Sequence, residues 1–319
     1  MNITVIGCGR WGTFLAWYLN RIGHRVTLYG REQSGRMKAL RKTRTNSVTV
    51  LPESVALESN LSRALESELL VISIGSQSLR GLLGEISALC PAGEKTYVLC
   101  MKGLEIGTGK RLSTIVKEEA GEQAEVAVWL GPGHVQEFTR GIPNCMVIDS
   151  ESEALKERLV AELSGDLIRF YYGRDLIGNE VGAAAKNVIG IAAGMLDGLR
   201  LSSLKGALMS RGTREIARLI SALGGSELSA YGLCHLGDYE ATVFSRYSHN
   251  RRYGEALILG EPYEELAEGC YTVKALLKLG EETGVSLPIC RAVYDVLYQK
   301  ADPQKTLDAL FSRSLKNEF

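Results

Sequence analysis

The chain opens with a short apolar run at residues 3–6. It then breaks into glycines at positions 7, 9 and 12, and an apolar helical pattern runs from Thr13 to Leu19. Apolar runs of strand length recur at 24–31, 47–51, 69–74, 96–100, 126–130, 145–148 and 167–172. Helical spacing fills several of the gaps, at 79–89, 111–119 and 153–163. Such alternation predicts a mainly parallel sheet covered by helices. From Leu176 onward the period is helical and no run reads as a strand. The pattern therefore predicts an α/β domain over 1–175 and an all-helical domain over 176–319, with no long linker between them.

The glycines give the first domain a chemistry. Gly7, Gly9 and Gly12 form G-x-G-x-x-G between a predicted strand and a predicted helix. In that setting the first glycine allows a tight turn and the second lets the backbone approach a pyrophosphate. The third lets the helix pack closely on the strand. Phosphates would lie at the helix N-terminus, where unpaired N–H groups point outward, and Arg10 and Trp11 belong to the same loop. The domain is thus predicted to be a Rossmann-type dinucleotide-binding domain. The end of the second strand reads Tyr29, Gly30, Arg31, then Glu32. An arginine in place of the usual acidic residue accommodates a 2′-phosphate, so NADP is favoured over NAD, although Glu32 could still reach a ribose.

Composition narrows the partners. Lys plus Arg and Asp plus Glu are 37 each in 319 residues, so no net field attracts nucleic acid or an anionic membrane. Seven cysteines are scattered without a C-x-x-C, which suits a reducing cytoplasm and predicts neither a disulfide framework nor a metal site. No apolar run is long enough for membrane insertion. His24, His134 and the Cys234–His235 pair have no further ligands at metal-binding spacing.

One residue in the second domain stands apart. Lys186 is the single charge in an otherwise apolar and small-residue stretch over 181–196, with Asn187 beside it and Asp197 as the next charge. A helix of that composition is packed on most of its circumference, and a lysine there is either desolvated, and so a ready proton acceptor, or snorkels to the surface. The sequence places it near the start of the second domain's first helix.

These motifs carry a resemblance. GCGRWGT at the start, MKGLE at 101–105, LGPGHVQEFTRGIP at 130–143 and EVGAAAKNVIGIAAGMLDGL at 180–199 resemble bacterial NAD(P)-dependent glycerol-3-phosphate dehydrogenases. So do SRGTREIARL at 210–219, LGDYEAT at 236–242, SHNRRYG at 248–254, EG at 268–269 and SLPI at 286–289. The resemblance covers nearly the whole chain. It implies hydride transfer between a nicotinamide and C2 of dihydroxyacetone phosphate or sn-glycerol 3-phosphate, a phosphorylated three-carbon substrate. It further implies supply of glycerophospholipid synthesis by a cytoplasmic homodimer. Lys186 matches the family's catalytic lysine, and Asp238 a residue beside the reacting hydroxyl. Lys102, Gly131, Gly133, Asn187, Thr242, Ser248, His249 and Asn250 match substrate positions. Lys102, Val135, His249 and Glu268 match cofactor positions, along with the glycine loop and Arg31.

The chain also departs from that family near the substrate. His249 replaces an arginine in Ser-Arg-Asn, with Arg246, Arg251 and Arg252 close by in sequence. Gly133 and Val135 replace a serine and an alanine, Ser202 and Ser203 replace a Gly-x-Asn turn, and the segment from Gly254 to Glu268 is shorter. Two alternatives stay open: a related reductase of another small ketone, and a nicotinamide-binding sensor without turnover.

Overall fold

A computed structural model describes residues 1–91, 93–314 and 317. Its sheet has eight strands: β1 (Asn2–Ile6), β2 (Arg25–Tyr29), β3 (Ala56–Glu58), β4 (Leu69–Ile72), β5 (Thr96–Leu99), β6 (Glu125–Leu130), β7 (Asn144–Asp149) and β8 (Ile168–Tyr172). Their order is 3-2-1-4-5-6-7-8, and every neighbouring pair is parallel except β6 with β7. The chain reverses direction across the sheet between β1 and β4, the point at which open α/β sheets bind ligands beyond the strand ends. Seven helices accompany the sheet: α1 (Arg10–Arg21), α2 (Gly35–Thr43), α3 (Leu61–Ala64), α4 (Leu79–Ser87), α5 (Leu112–Ala120), α6 (Val135–Phe138) and α7 (Glu153–Leu163). Strands β4 and β5 are buried along their whole length, which is why they read as continuous apolar runs rather than as alternation.

One strand expectation fails. Residues 47–51 make only an isolated antiparallel bridge, Thr45 with Val50. The Asn46 side-chain carbonyl accepts from the amides of Val48 and Thr49, and Ser47 is left-handed at φ 71°. A side chain that bonds its own following amides builds a turn and withholds them from a sheet. The third strand is the three-residue β3 instead, too short to show a period.

The protein divides into two compact units, residues 1–102 with 110–180, and 103–109 with 181–319. The expected boundary at 175/176 differs in two details. Helix α8 (Leu176–Gly198) contributes its first turn to the first unit. Residues 103–109 belong with the second, where a side chain at Gly109 would meet Leu279 at 3.0 Å. The second unit is helical: the rest of α8, then α9 (Lys205–Ala222), α10 (His249–Leu259), α11 (Gly269–Thr283), α12 (Pro288–Tyr298) and α13 (Pro303–Phe311). Among the described residues no strand follows β8; residues 315, 316, 318 and 319 of the expected helical domain lie outside them. No helix among them is long and apolar enough to cross a membrane.

Lys186 lies midway along the 23 residues of α8 rather than near its start. The Asp175 carboxylate accepts from the amide of Gly178 and caps the helix early. Small residues along α8 then allow close packing. A Cβ at Gly190 would stand 2.7 Å from Thr242 Cγ2, and one at Gly194 would run into the carbonyl oxygen of Arg251.

Candidate active site

In the first unit, the expected cofactor residues gather at the carboxyl ends of β1, β2, β5 and β6. A Cβ at Gly12 would overlap the Gly7 carbonyl oxygen, so helix and turn are in direct backbone contact. Above Gly9, by contrast, the nearest atom is Nη1 of Arg36, at 3.5 Å from a Cβ built there. Gly9 also occupies the N-cap of α1 without a side chain to cap it, and a helix leaves its first N–H groups without partners of its own. An uncapped helix start at a glycine overlooked by a guanidinium fits a pyrophosphate. Trp11 leans on Phe14 and Phe138, with ring centroids 5.2 and 6.2 Å apart.

The charges beyond β2 are arranged more elaborately than expected. Arg31 is exposed and pairs with Glu85 at 3.1 Å. Glu32, the one carboxylate that could take the acidic role toward a ribose, is held by Arg41 at 2.7 Å. Those hydrogen bonds keep its carboxyl below the usual range. Arg36, from the first turn of α2, reaches over the glycine loop and has no signal in the sequence beyond its place after Ser34.

Lys102 stands at the end of β5 and donates to the Gly131 carbonyl at 2.6 Å. It thus ties two adjacent strand ends together with its ammonium directed at the Gly131–Gly133 loop. Gly133 packs so tightly on the Phe138 ring that a built Cβ would overlap it. The Val135 side chain is buried in the apolar core, so only its backbone is left to meet a ligand.

In the second unit Lys186 is buried, with 6% of its surface exposed. Its ammonium donates to Thr242 Oγ1 at 2.9 Å and pairs with Asp238 Oδ2 at 2.5 Å. The Thr242 hydroxyl in turn donates to the Asp238 carbonyl at 2.8 Å. Asp238 ends a short 3-10 turn, Leu236–Asp238, and Thr242 lies on a one-turn π-helix, Glu240–Phe244; such turns recur at functional sites. Lys186 is therefore neither a lone desolvated amine nor a snorkelling one. It is half of a buried ion pair.

The remaining expected residues form a second cluster. Asn250 donates to the Asn187 side-chain oxygen at 3.0 Å and accepts from the Gly269 amide at 2.9 Å, so α8, α10 and α11 meet at one point. Ser248 caps α10 by accepting from Arg251 N, and Glu268 occupies the N-cap of α11. Nδ1 of His249, the first residue of α10, faces Tyr263 Oη at 2.9 Å and Glu265 Oε2 at 2.7 Å. Of the three nearby arginines, Arg252 shares that neighbourhood, lying over the Tyr263 ring and 3.9 Å from Glu265. Arg251 is committed elsewhere, to Asp197 and Glu255, and Arg246 lies on Tyr247. Asp197, Lys205, Ser202 and Arg251 together form a half-buried charged knot that no motif announced.

Models of NAD-dependent glycerol-3-phosphate dehydrogenase match residues 2–156 (N-terminal part) and 175–308 (C-terminal part). The chain belongs to that family. It is 38% identical to the glycerol-3-phosphate dehydrogenase [NAD(P)+] of Geobacillus kaustophilus over 100% of this chain and 96% of that one. It is 39% identical to the Thermus thermophilus enzyme of the same name over 100% of both chains. The solved glycerol-3-phosphate dehydrogenase of Coxiella burnetii superposes with a TM-score of 0.90 at 30% identity, covering 98% of this chain and 99% of that one.

Within this glycerol-3-phosphate dehydrogenase family fold, the protein is an oxidoreductase that uses NAD or NADP. Two residues that the sequence left idle lie against its lysine–aspartate pair, His235 and Tyr239. His235 is wholly buried, with Nδ1 2.8 Å from the Gly182 carbonyl oxygen and Nε2 2.7 Å from the Tyr239 hydroxyl. Burial holds its pKa down to about 4. The ring is neutral, its Nδ1–H donating to the carbonyl and its Nε2 accepting from the tyrosine.

Proposed function

We propose that the protein interconverts dihydroxyacetone phosphate and sn-glycerol 3-phosphate as a cytoplasmic homodimer that supplies glycerophospholipid synthesis. The observation that carries the proposed mechanism is the buried Lys186–Asp238–Thr242 set. When bound, the nicotinamide supplies or accepts the hydride at C2. In reduction, the Lys186 ammonium donates a proton to the oxygen that becomes the hydroxyl; in oxidation the amine takes it back. Asp238 holds the ammonium in place and offsets its charge in a buried setting. Thr242 fixes its direction by accepting one of its hydrogens. Asn187 and Asn250 brace the segment that carries Lys186, and Lys102 offers a cation to an anionic ligand. Gly7, Gly9, Arg10, Trp11 and Gly12 form the pyrophosphate cradle.

NADPH is the preferred coenzyme in this reading. Glu32 is occupied by Arg41, and two arginines, Arg31 and Arg36, flank the place where a 2′-phosphate would lie. The test is oxidation of NADPH and NADH by the purified protein on dihydroxyacetone phosphate and a panel of non-phosphorylated ketones, with Lys186→Met as control. Turnover of the phosphate ester that Lys186→Met abolishes supports the reading, and turnover of another ketone alone overturns it. One observation favours that second outcome. His249 stands where the family resemblance expects a permanent cation, and a carboxylate, Glu265, lies beside it.

A further inference from the structure

The mechanism uses Lys186 and Asp238 but does not explain what fixes the distance between them. They are 52 positions apart, one on a helix and the other on a short irregular turn. A charge pair so placed needs a third element to hold helix and turn together. The structure supplies one in two wholly buried residues to which the proton transfer gives no role, His235 and Tyr239.

Three contacts converge on His235. Its Nδ1–H donates to the Gly182 carbonyl, and in an α-helix that carbonyl also receives the amide of the residue four positions on, which is Lys186. His235 therefore grips the helical turn from which the lysine projects. On its other side the Tyr239 hydroxyl donates to Nε2, with the two rings edge to face at 4.9 Å, and Tyr239 directly follows Asp238 in the chain. The backbone between them is equally closed: the Asp238 amide donates to the His235 carbonyl at 3.0 Å. Close approach is built into the helix, because a Cβ at Gly182 would stand 3.0 Å from the His235 Cβ.

We propose that His235, with Tyr239, is a positioning residue that clamps the Lys186 turn of α8 to the Asp238 turn and so sets the ammonium–carboxylate geometry. The clamp works only with a neutral ring, one nitrogen donating and the other accepting. Burial enforces that form; Lys186 opposes a second positive charge nearby, while Asp238 favours one, and burial outweighs it. Tyr239 stays a phenol, its pKa raised by burial with Cys290 and Glu215 as further neighbours. No step of the chemistry passes through the histidine.

The proposal rests on Lys186 being the proton donor in the reading above, and its test separates the two. Wild type, His235→Phe, His235→Asn and Tyr239→Phe are compared for kcat, KM and the pH profile of dihydroxyacetone phosphate reduction. The structure of His235→Phe is determined in parallel. Phenylalanine keeps a planar aromatic ring, somewhat larger than imidazole, and removes both hydrogen bonds; asparagine, which is smaller, retains a donor where Nδ1 stood. We expect His235→Phe to lower kcat about 10- to 100-fold with KM held within about twofold. The alkaline limb of the profile should move to lower pH, because an ammonium held less firmly by its carboxylate gives up its proton more readily. His235→Asn should recover most of the loss, and the Lys186–Asp238 separation should lengthen in the His235→Phe structure. Wild-type kcat and pH profile in a folded His235→Phe would overturn the proposal. So would a lower kcat with the profile unmoved, no recovery in His235→Asn and the 2.5 Å pair intact, which is the mark of a packing role alone. If His235→Phe does not fold, Tyr239→Phe decides: a several-fold loss of kcat with KM held supports the clamp, and no change overturns it. If the wild type turns over no dihydroxyacetone phosphate, the substrate reading fails. The pair geometry in the variant structure then judges the clamp without any activity.

Discussion

The glycine loop of the first unit and the lysine site of the second are built on opposite plans. The loop is local: three glycines within six residues, a helix start and a strand end make a cradle out of backbone, and over Gly9 the nearest side chain is the Arg36 guanidinium. The lysine site is assembled from α8, from the turns around Asp238 and Thr242, and from α10 and α11. The polar atoms of Lys186 and Thr242 are buried and bonded to one another and to the Asp238 turn, with the Asn250–Asn187 bond at a partly buried edge. A backbone cradle recognises a group common to many ligands and leaves selectivity to exposed side chains around it. A buried side-chain set has few spare bonds and fails when one member is removed. The two sites should therefore respond to mutation in different ways.

The largest effect is expected at the lysine. Lys186→Met should lower kcat by about 10²–10⁴ for want of the proposed proton donor. It should also cost roughly 3–5 kcal/mol of stability, because Asp238 is left buried and charged without its partner. Adding Asp238→Asn should restore much of the stability and none of the rate, as read by urea unfolding alongside turnover. A Lys186→Met protein as active as wild type would erase that contrast between the two sites.

Next is acid sensitivity of the second unit. His235 titrates near pH 4 when folded and near 6.5 in an unfolded chain. Between those values the unfolded state binds more protons, so stability rises with pH across that window and is lost as pH falls through it. Two and a half units correspond to about 3 kcal/mol at most. Denaturant midpoints of wild type and His235→Asn from pH 7 to 4 should diverge at the neutral end and converge at the acid end. Parallel curves would mean that the ring is not buried neutral.

A smaller effect is expected where the loop meets its ligand. The Arg31–Glu85 pair is exposed and worth under about 1 kcal/mol, so Arg31 can leave it for a phosphate. Arg31→Asp should weaken NADPH about tenfold relative to NADH, a difference of about 1.4 kcal/mol. Arg36→Gln should act in the same direction by less. Titration with 2′,5′-ADP against ADP reads the effect free of turnover, and equal losses for both ligands would show that neither arginine reads the 2′-phosphate.

The smallest change belongs to His249→Arg. A permanent, forked cation should lower KM for dihydroxyacetone phosphate a few-fold and flatten its pH dependence with kcat nearly unchanged. Loss of activity instead would mean that Glu265 and Tyr263 need the imidazole, and would sharpen the case for a different substrate.

Legibility in the sequence followed the same division. The G-x-G-x-x-G cradle was readable because its parts are neighbours, and seven of the eight strands were readable from apolar runs bounded by turns. Ser47–Leu51 misled because alternating Val48 and Val50 mimic a strand, whereas Asn46 closes a turn. Lys186 stood out as a lone charge in an apolar stretch, whereas Asp238 and Thr242 were named through family motifs; no spacing rule joins Lys186 to them, because they meet only after folding. His235 was noticed merely as the neighbour of Cys234, since the carbonyl it binds lies 53 residues away. Likewise Arg252 differs from Arg251 only in the direction a helix turns it.

The burial of the Lys186 amine bears on how the protein would behave toward acylating reagents. Surface lysines label at rates set by diffusion and basicity, but this amine is shut away behind a carboxylate and a threonine. Only 8% of its side chain is exposed, and wider access needs excursions that part α8 from the Asp238 turn. Its labelling rate is then a clock for local opening of the second unit, and saturation with coenzyme and substrate should slow that clock, by mass action, more than it slows any other lysine in the chain.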